Sequence, residues 1–370
     1  MATFNYWERL QKTENFREFS LNSEGRLWLK LKSIMRKDLL HGFVKSAGMT
    51  DVPEKAGDAF PALFERLSLH LEKSHEALDK FIRDESRKQI EAIDAERLSS
   101  ELYKMRNFEW GGDYRNSLDK FLVKRYIKDV AFPSYDALRE QCDSEINAAV
   151  RSYMQNSWYN YWSDVLIENL FKQHEAVLPT VGKIRSVDFF IRNIPFDLKV
   201  TYLPVQYIEQ KRKEKRYSSD LSFLKRVAKK IGISFNKEAG APEQIYELKE
   251  KMRENGDDVC RNALRTLQMQ KMEILEDARR NPGPLARWLY ENQGEMRFGA
   301  ENRIYLVLVD SENFEESWKL KRNIKFLQPK INAYLDSFNP AKLNDLKVDF
   351  KYKDKLQKFS SFADVLFAVK

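Results

Sequence analysis

The chain of 370 residues predicts an α/β protein whose first part is almost wholly helical. Apolar residues recur at helical spacing through residues 1–150. Between residues 181 and 204 the pattern switches to Val, Ile and Phe alternating with polar residues, which is the period of a strand. Further on, Arg303-Ile304-Tyr305-Leu306-Val307-Leu308-Val309-Asp310 contains an apolar run of the kind that forms a buried strand.

In the helical part, Leu63, Leu67 and Leu71, then Leu78, Phe81 and Ile82, share one helix face, and Ile90, Ile93, Leu98 and Leu102 continue it. Trp110-Gly111-Gly112-Asp113 breaks the pattern, because paired glycines weaken a helix and permit a turn. A helix is expected over Asn116–Val130. Pro133-Ser134 stops and restarts the chain with Ser134 as N-cap, and a long helix runs on to about Ala176, with a break near Asn156-Ser157. After the alternating segment the chain turns basic and helical from about Asp220 to Arg280, until Pro282 and Pro284. A helix near Glu316–Phe338 follows the buried strand. Val348-Asp349-Phe350-Lys351-Tyr352 and Asp364-Val365-Leu366-Phe367-Ala368-Val369 read as two more strands. No internal repeat is present.

Hydrophobic residues make up 42% of the chain and charged residues 32%, so a core can form beneath an ionic surface and disorder is not indicated. The net charge of +8 favours an anionic partner such as nucleic acid. Cys142 and Cys260, far apart in sequence, exclude a disulfide scaffold and a Cys-rich zinc site. His70 and His75 fall on different helix faces and do not form a metal pair. With no signal pattern at the N-terminus and no apolar run of the ~20 residues that cross a bilayer, a cytoplasmic protein with no membrane association is expected.

The chemistry is concentrated in Ser186-Val187-Asp188-Phe189-Phe190-Ile191-Arg192-Asn193-Ile194-Pro195-Phe196-Asp197-Leu198-Lys199-Val200. Its pattern predicts a β-hairpin turning at Arg192-Asn193, since Asn tolerates the left-handed backbone such turns need. A two-residue turn pairs Ile191 with Ile194, Phe190 with Pro195, Phe189 with Phe196 and Asp188 with Asp197. Val187, Phe189, Ile191, Ile194, Phe196, Leu198 and Val200 then form one apolar face. Asp188, Asp197 and Lys199 gather on the other, away from the turn. Opposed carboxylates repel, and a cation between them relieves the repulsion. Mg²⁺ suits oxygen ligands and retains several waters, while a neighbouring lysine can position water or stabilise charge on a phosphate. A surface hairpin carrying two aspartates and a lysine has the same sequence appearance.

These residues resemble the PD-(D/E)XK nuclease superfamily, the fold of many restriction endonucleases. Asp188 falls on the first acidic position and Asp197-Leu198-Lys199 on the (D/E)-X-K, with Val187 where the motif's name has proline. The likeness covers about Asn156–Val200 and the strand near Arg303–Val309. It implies a restriction-endonuclease-like mixed sheet core flanked by helices over residues 151–370, with a helical insertion at about 205–285. Residues 1–150 lie outside the likeness and are expected to be a helical region for DNA binding or assembly. It also implies hydrolysis of DNA phosphodiester bonds, with Mg²⁺ (Mn²⁺ as a substitute) held by Asp188 and Asp197 and Lys199 assisting. A further metal-binding acid on the preceding helix is implied, with Glu168 favoured over Asp164 and Glu175. A restriction-type endonuclease is the leading expectation, and nicking opposite strands would favour a homodimer. A DNA-repair or RNA nuclease of the same fold and a non-catalytic nucleic-acid-binding or assembly protein are the alternatives.

Three more features bear on the reading. Lys211, Arg212, Lys213, Lys215 and Arg216, with Lys225, Arg226, Lys229 and Lys230 beyond, are expected to neutralise a DNA backbone. Asp345-Leu346-Lys347 repeats the D-X-K spacing without an upstream acidic strand and reads as surface. Gln293 and Arg297 have the spacing of a Q-X-X-X-R pair, which some nucleases of the superfamily resemble with Q-X-X-X-Y; an ordinary polar loop is an equal reading.

Overall fold

A computed structural model describes residues 3–13, 15–106, 135–184, 186–292, 299–351 and 358–370. The expectations at Trp110–Asp113, Asn116–Val130, Ser134, Gln293, Arg297 and Tyr352 lie outside these residues.

The fold is mixed α/β, built on β1 (Val177–Ile184), β2 (Val187–Ile191), β3 (Ile194–Tyr202), β4 (Arg303–Val309), β5 (Lys347–Lys351) and β6 (Lys358–Val369). They form one sheet in the order β1-β2-β3-β4-β6-β5. β1, β2 and β3 are an antiparallel meander. β3, β4 and β6 run parallel, and β5 closes the far edge antiparallel to β6. The β2–β3 register is Phe189 to Phe196, Phe190 to Pro195 and Ile191 to Ile194, turning at Arg192 and Asn193 with φ of 44° and 72°. Positive φ at both turn positions matches the twist of the flanking strands.

The helices before the sheet are α1 (Phe4–Lys12), α2 (Phe16–Leu21), α3 (Ser23–Ser33), α4 (Lys37–Ser46), α5 (Ala56–Ser68), α6 (Leu71–Glu91), α7 (Ala95–Tyr103), α8 (Tyr135–Gln141) and α9 (Asn147–Lys172). A π-helical turn over Cys142–Ile146 joins α8 to α9. The break expected at Asn156-Ser157 does not occur, because Asn156 is buried within an unbroken α9. Parallel strands need a long crossover. Between β3 and β4 it contains α10 (Val205–Glu214), α11 (Asp220–Ile231), α12 (Ala241–Asn255), α13 (Asp258–Arg280) and α14 (Gly283–Asn292). Beyond β4 the expected single helix is instead a 3₁₀ turn, Phe314–Arg322, followed by α15 (Ile324–Ser337). Asn323 separates them, and its side chain caps α15 by accepting the Phe326 N–H.

The first helices do not stand apart from the sheet. Trp28, Leu31, Leu63, Leu78 and Ile82 share one core with Leu178, Val181, Ile184 and Phe190. α3 approaches β1 so closely that a Cβ on Gly182 would lie 2.3 Å from the Ser33 carbonyl oxygen. α9 and α15 cover the opposite face through Phe189, Ile191, Phe196, Leu198, Ile304, Leu306 and Leu308. The crossover helices α10, α13 and α14 pack on Tyr305, Val307 and Val309. β4 is therefore buried on both faces, as a central parallel strand should be. α11, α12 and α13 add a small core of their own around Leu224, Leu248, Met252 and Leu267. Among the described residues, no helix is long and apolar enough to cross a membrane.

Candidate active site at the acidic hairpin

The hairpin brings Asp188, Asp197 and Lys199 together. One face of β2 and β3 is apolar as expected, except that Val187 packs with the first-helix core and not beside Phe189. β1 and β2 pair again there, with Ile184 opposite Val187, Ser186 at φ 74°, and a shift of register between Pro179 and Ile184. At that end the Asp188 carboxylate accepts the Leu198 N–H at 2.8 Å, which seats it against β3 beside Asp197. Lys199 Nζ donates to Asp197 Oδ1 at 2.9 Å. Asp197 and Lys199 share a strand face because they are two residues apart.

Glu168 lies on α9, near enough for its charge to act on Asp188. Phe171 stacks on Phe189 with ring centroids 5.3 Å apart and planes 12° from parallel. This fixes α9 against the hairpin, and the Glu168 charge then bears on Asp188. Glu168 also pairs with Lys172 one turn on. Both line a cleft of about 180 Å³ with Gln89 of α6 and Pro179 of β1. Asp164 instead pairs with Lys321 at 3.0 Å, and Glu175 is exposed beyond the end of α9. Of the three helix acids, Glu168 is the one whose charge acts on Asp188.

Burial raises the Asp188 pKa to about 7, with further upward pressure from Asp197 and then Glu168; the Leu198 N–H and Lys199 oppose it. The Asp197 pKa is also raised by burial, against the pull of Lys199 and Arg303. Opposed carboxylates alone would simply repel, but Asp197 is clamped by two cations.

The second cation belongs to a buried network that sequence reasoning missed. Arg303 Nε lies 3.3 Å from Asp197 Oδ2, and its Nη2 donates to Glu301 Oε2 at 2.7 Å. Glu301 Oε1 accepts from Ser186 Oγ at 2.7 Å and from the Gly299 N–H at 3.1 Å. The guanidinium also lies 4.8 Å from the Tyr290 ring centroid. Asn302 locks the strand ends, since its carbonyl accepts the Asp197 N–H and its amide donates to the Pro195 carbonyl. An arginine at the head of an otherwise apolar buried strand was the available signal, because such a charge needs a buried partner.

The basic stretch is divided by its surroundings. Arg212 is only 2% exposed and donates to the Ser218 carbonyl through Nε and Nη2, so it presents no surface to a phosphate. That corrects its expected role. Lys211 pairs with Glu214 at 2.7 Å, and Lys215 with both Glu273 and Asp277 at 2.7 Å. Lys213 and Arg216 are exposed. Asp345 and Lys347 are exposed beside β5, as their reading as surface requires.

The hairpin donors for a cation are all carboxylate oxygens, the set that hard cations prefer. Among the described residues no group of three or more His, Cys, Asp and Glu is gathered to hold a metal ion. Mg²⁺ is commonly held by one or two carboxylates and retains its waters, so it does not require a third acid. No family model, curated protein or solved structure matches this chain.

Proposed function

We propose that the protein is a metal-dependent nuclease that hydrolyses DNA phosphodiester bonds. The observation that carries the reading is the convergence of Asp188, Asp197 and Lys199 at the open end of one hairpin, with the Glu168 charge acting on Asp188. Asp188 and Asp197 would hold Mg²⁺, with Glu168 nearby. When bound, the ion supplies positive charge for the phosphoryl oxygens and lowers the pKa of water. Arg303 fixes one oxygen of Asp197, and Asp197 in turn orients the Lys199 ammonium. Lys199 is then preorganised to donate a hydrogen bond to a phosphate oxygen as negative charge builds. From the basic stretch, Lys213 and Arg216 remain to contact the backbone.

A second reading rests on the clamp itself. Asp197 is already satisfied by Lys199 and Arg303, and Glu168 by Lys172. A non-catalytic nucleic-acid-binding protein would keep those pairs closed. Plasmid, linear DNA and RNA incubated side by side with Mg²⁺ separate the readings. The nuclease reading expects DNA cleavage, and binding without cleavage of any substrate rejects it. In Ca²⁺, replacing Lys213 and Arg216 with Ala should flatten the log–log salt slope of DNA binding by about two units.

A further inference from the structure

A second cluster of charge lies on the crossover helices, apart from the hairpin carboxylates. α12 and α13 meet the turn after β4 around a cleft of about 260 Å³. Lys249 and Arg253 enter it from α12, Arg265 and Lys271 from α13, and Phe314 and Glu315 from the turn. The two lysines are withdrawn inside, with side chains 12% and 16% exposed. Each has one carboxylate partner, at the rim for Lys249 and at equal depth but shared with Arg212 for Lys271. Lys249 reaches Glu315 at 2.9 Å, but that glutamate is 64% exposed at the rim. Lys271 reaches Asp220 at 3.3 Å, and Asp220 is already 3.3 Å from the buried Arg212. Arg265 and Glu312 are exposed at the mouth. The interior is therefore rich in cations, and its acids stand outside or are shared. Withdrawn like charges are costly unless an anion compensates them. Burial holds the Lys271 ammonium below its usual range, and the Lys249 charge adds to that effect while Asp220 and Glu315 oppose it.

We propose that this cleft binds a phosphate group, held by Lys249 and Lys271 with Arg265 and Arg253 closing over it and Phe314 forming the apolar wall. Lysines act as point charges for an oxyanion, and the arginines supply paired N–H donors suited to a phosphate edge. The Phe314 ring, 5.9 Å from Lys271 Nζ, gives an attached nucleoside a surface to lie on. The phosphate can be the terminal group of a nucleotide or an internal phosphodiester of a nucleic acid.

The test is calorimetric titration of the full chain, in EDTA so that no metal-dependent cleavage intervenes, with inorganic phosphate, AMP and two short oligonucleotides that differ only in a 5′-phosphate. Saturable binding of phosphate is expected. Lys249→Met and Arg265→Glu should each weaken it by about tenfold or more, the loss of one charge-assisted hydrogen bond. Arg265 is exposed, so its variant tests the site even where replacing a withdrawn lysine disturbs the fold. A preference for the 5′-phosphorylated oligonucleotide assigns the site to terminal phosphates, and equal affinity for the two assigns it to internal ones. No saturable phosphate binding, or affinity unchanged in Arg265→Glu, overturns the proposal.

Discussion

Asp188 and Asp197 are neighbouring carboxyls in different circumstances. Asp197 has two cations on it, while Asp188 has a backbone N–H and two repelling carboxylates. A pKa of about 7 in the fold compares with about 3.9 in an unfolded chain. Between those values the folded protein holds a proton that the unfolded chain has released. Its contribution to stability is fully present below about pH 4 and is lost as pH rises through about 7. Metal-free protein should thus lose up to a few kcal/mol across that window from this one group. Asp188→Asn should remove the loss, so that the variant gains on wild type in thermal midpoint between pH 5 and pH 8. A difference between the two proteins that stays flat with pH would mean that Asp188 ionises freely. At this scale the sequence was legible where spacing alone decides proximity, as for Asp197 and Lys199. Arg303 signalled a buried partner, but not that the partner is Asp197, because that link comes from the parallel register of β3 on β4 across 106 residues, and Glu301 joins through Arg303.

The hairpin is the element that the sequence specified most fully, because period-two alternation and an Asn at the turn fix the register from the tip to Phe189 and Phe196 and every face but that of Val187. β1 was less legible, since Pro179 and Gly182 interrupt its alternation. The 3₁₀ turn over Phe314–Arg322 was read as α-helix because spacings of three and four residues serve both. What holds the hairpin tip was not legible at all. Lys30 of α3, 0% exposed, donates to Asn193 Oδ1 at 2.8 Å and pairs with Asp79 of α6 at 2.5 Å. Its Nζ also lies 3.1 Å from His75 Nδ1, so that nitrogen must accept, and the His75 pKa is lowered to about 4, first by burial and then by Lys30. Lys30→Met should cost about 3 kcal/mol in chemical denaturation, because it leaves Asp79 facing an apolar group. The double variant Lys30→Met/Asp79→Leu should recover most of that cost. A single variant as stable as wild type would show that the clamp does not hold the tip.

In the whole molecule, the first helices and the sheet share one core, so the acidic hairpin is held from both sides. α3 and α6 press on β1 and Phe190, and α9 presses on Phe189. This shared core was not legible in residues 1–150, since periodicity reports that a helix has an apolar face and not which surface covers it. That rigidity matters to the proposed chemistry, because Lys199 and the two aspartates must keep their geometry while a phosphate approaches. The proposed function requires these residues to cleave a phosphodiester backbone. The most direct test is conversion of supercoiled plasmid to nicked or linear DNA by wild type and by Lys199→Met, each in Mg²⁺ and in EDTA. Lys199 is partly exposed, so its replacement should leave the fold intact. Cleavage by wild type in Mg²⁺ alone, reduced about a hundredfold or more in Lys199→Met, is the predicted result. Cleavage equal in the two proteins, or none by wild type, would contradict it.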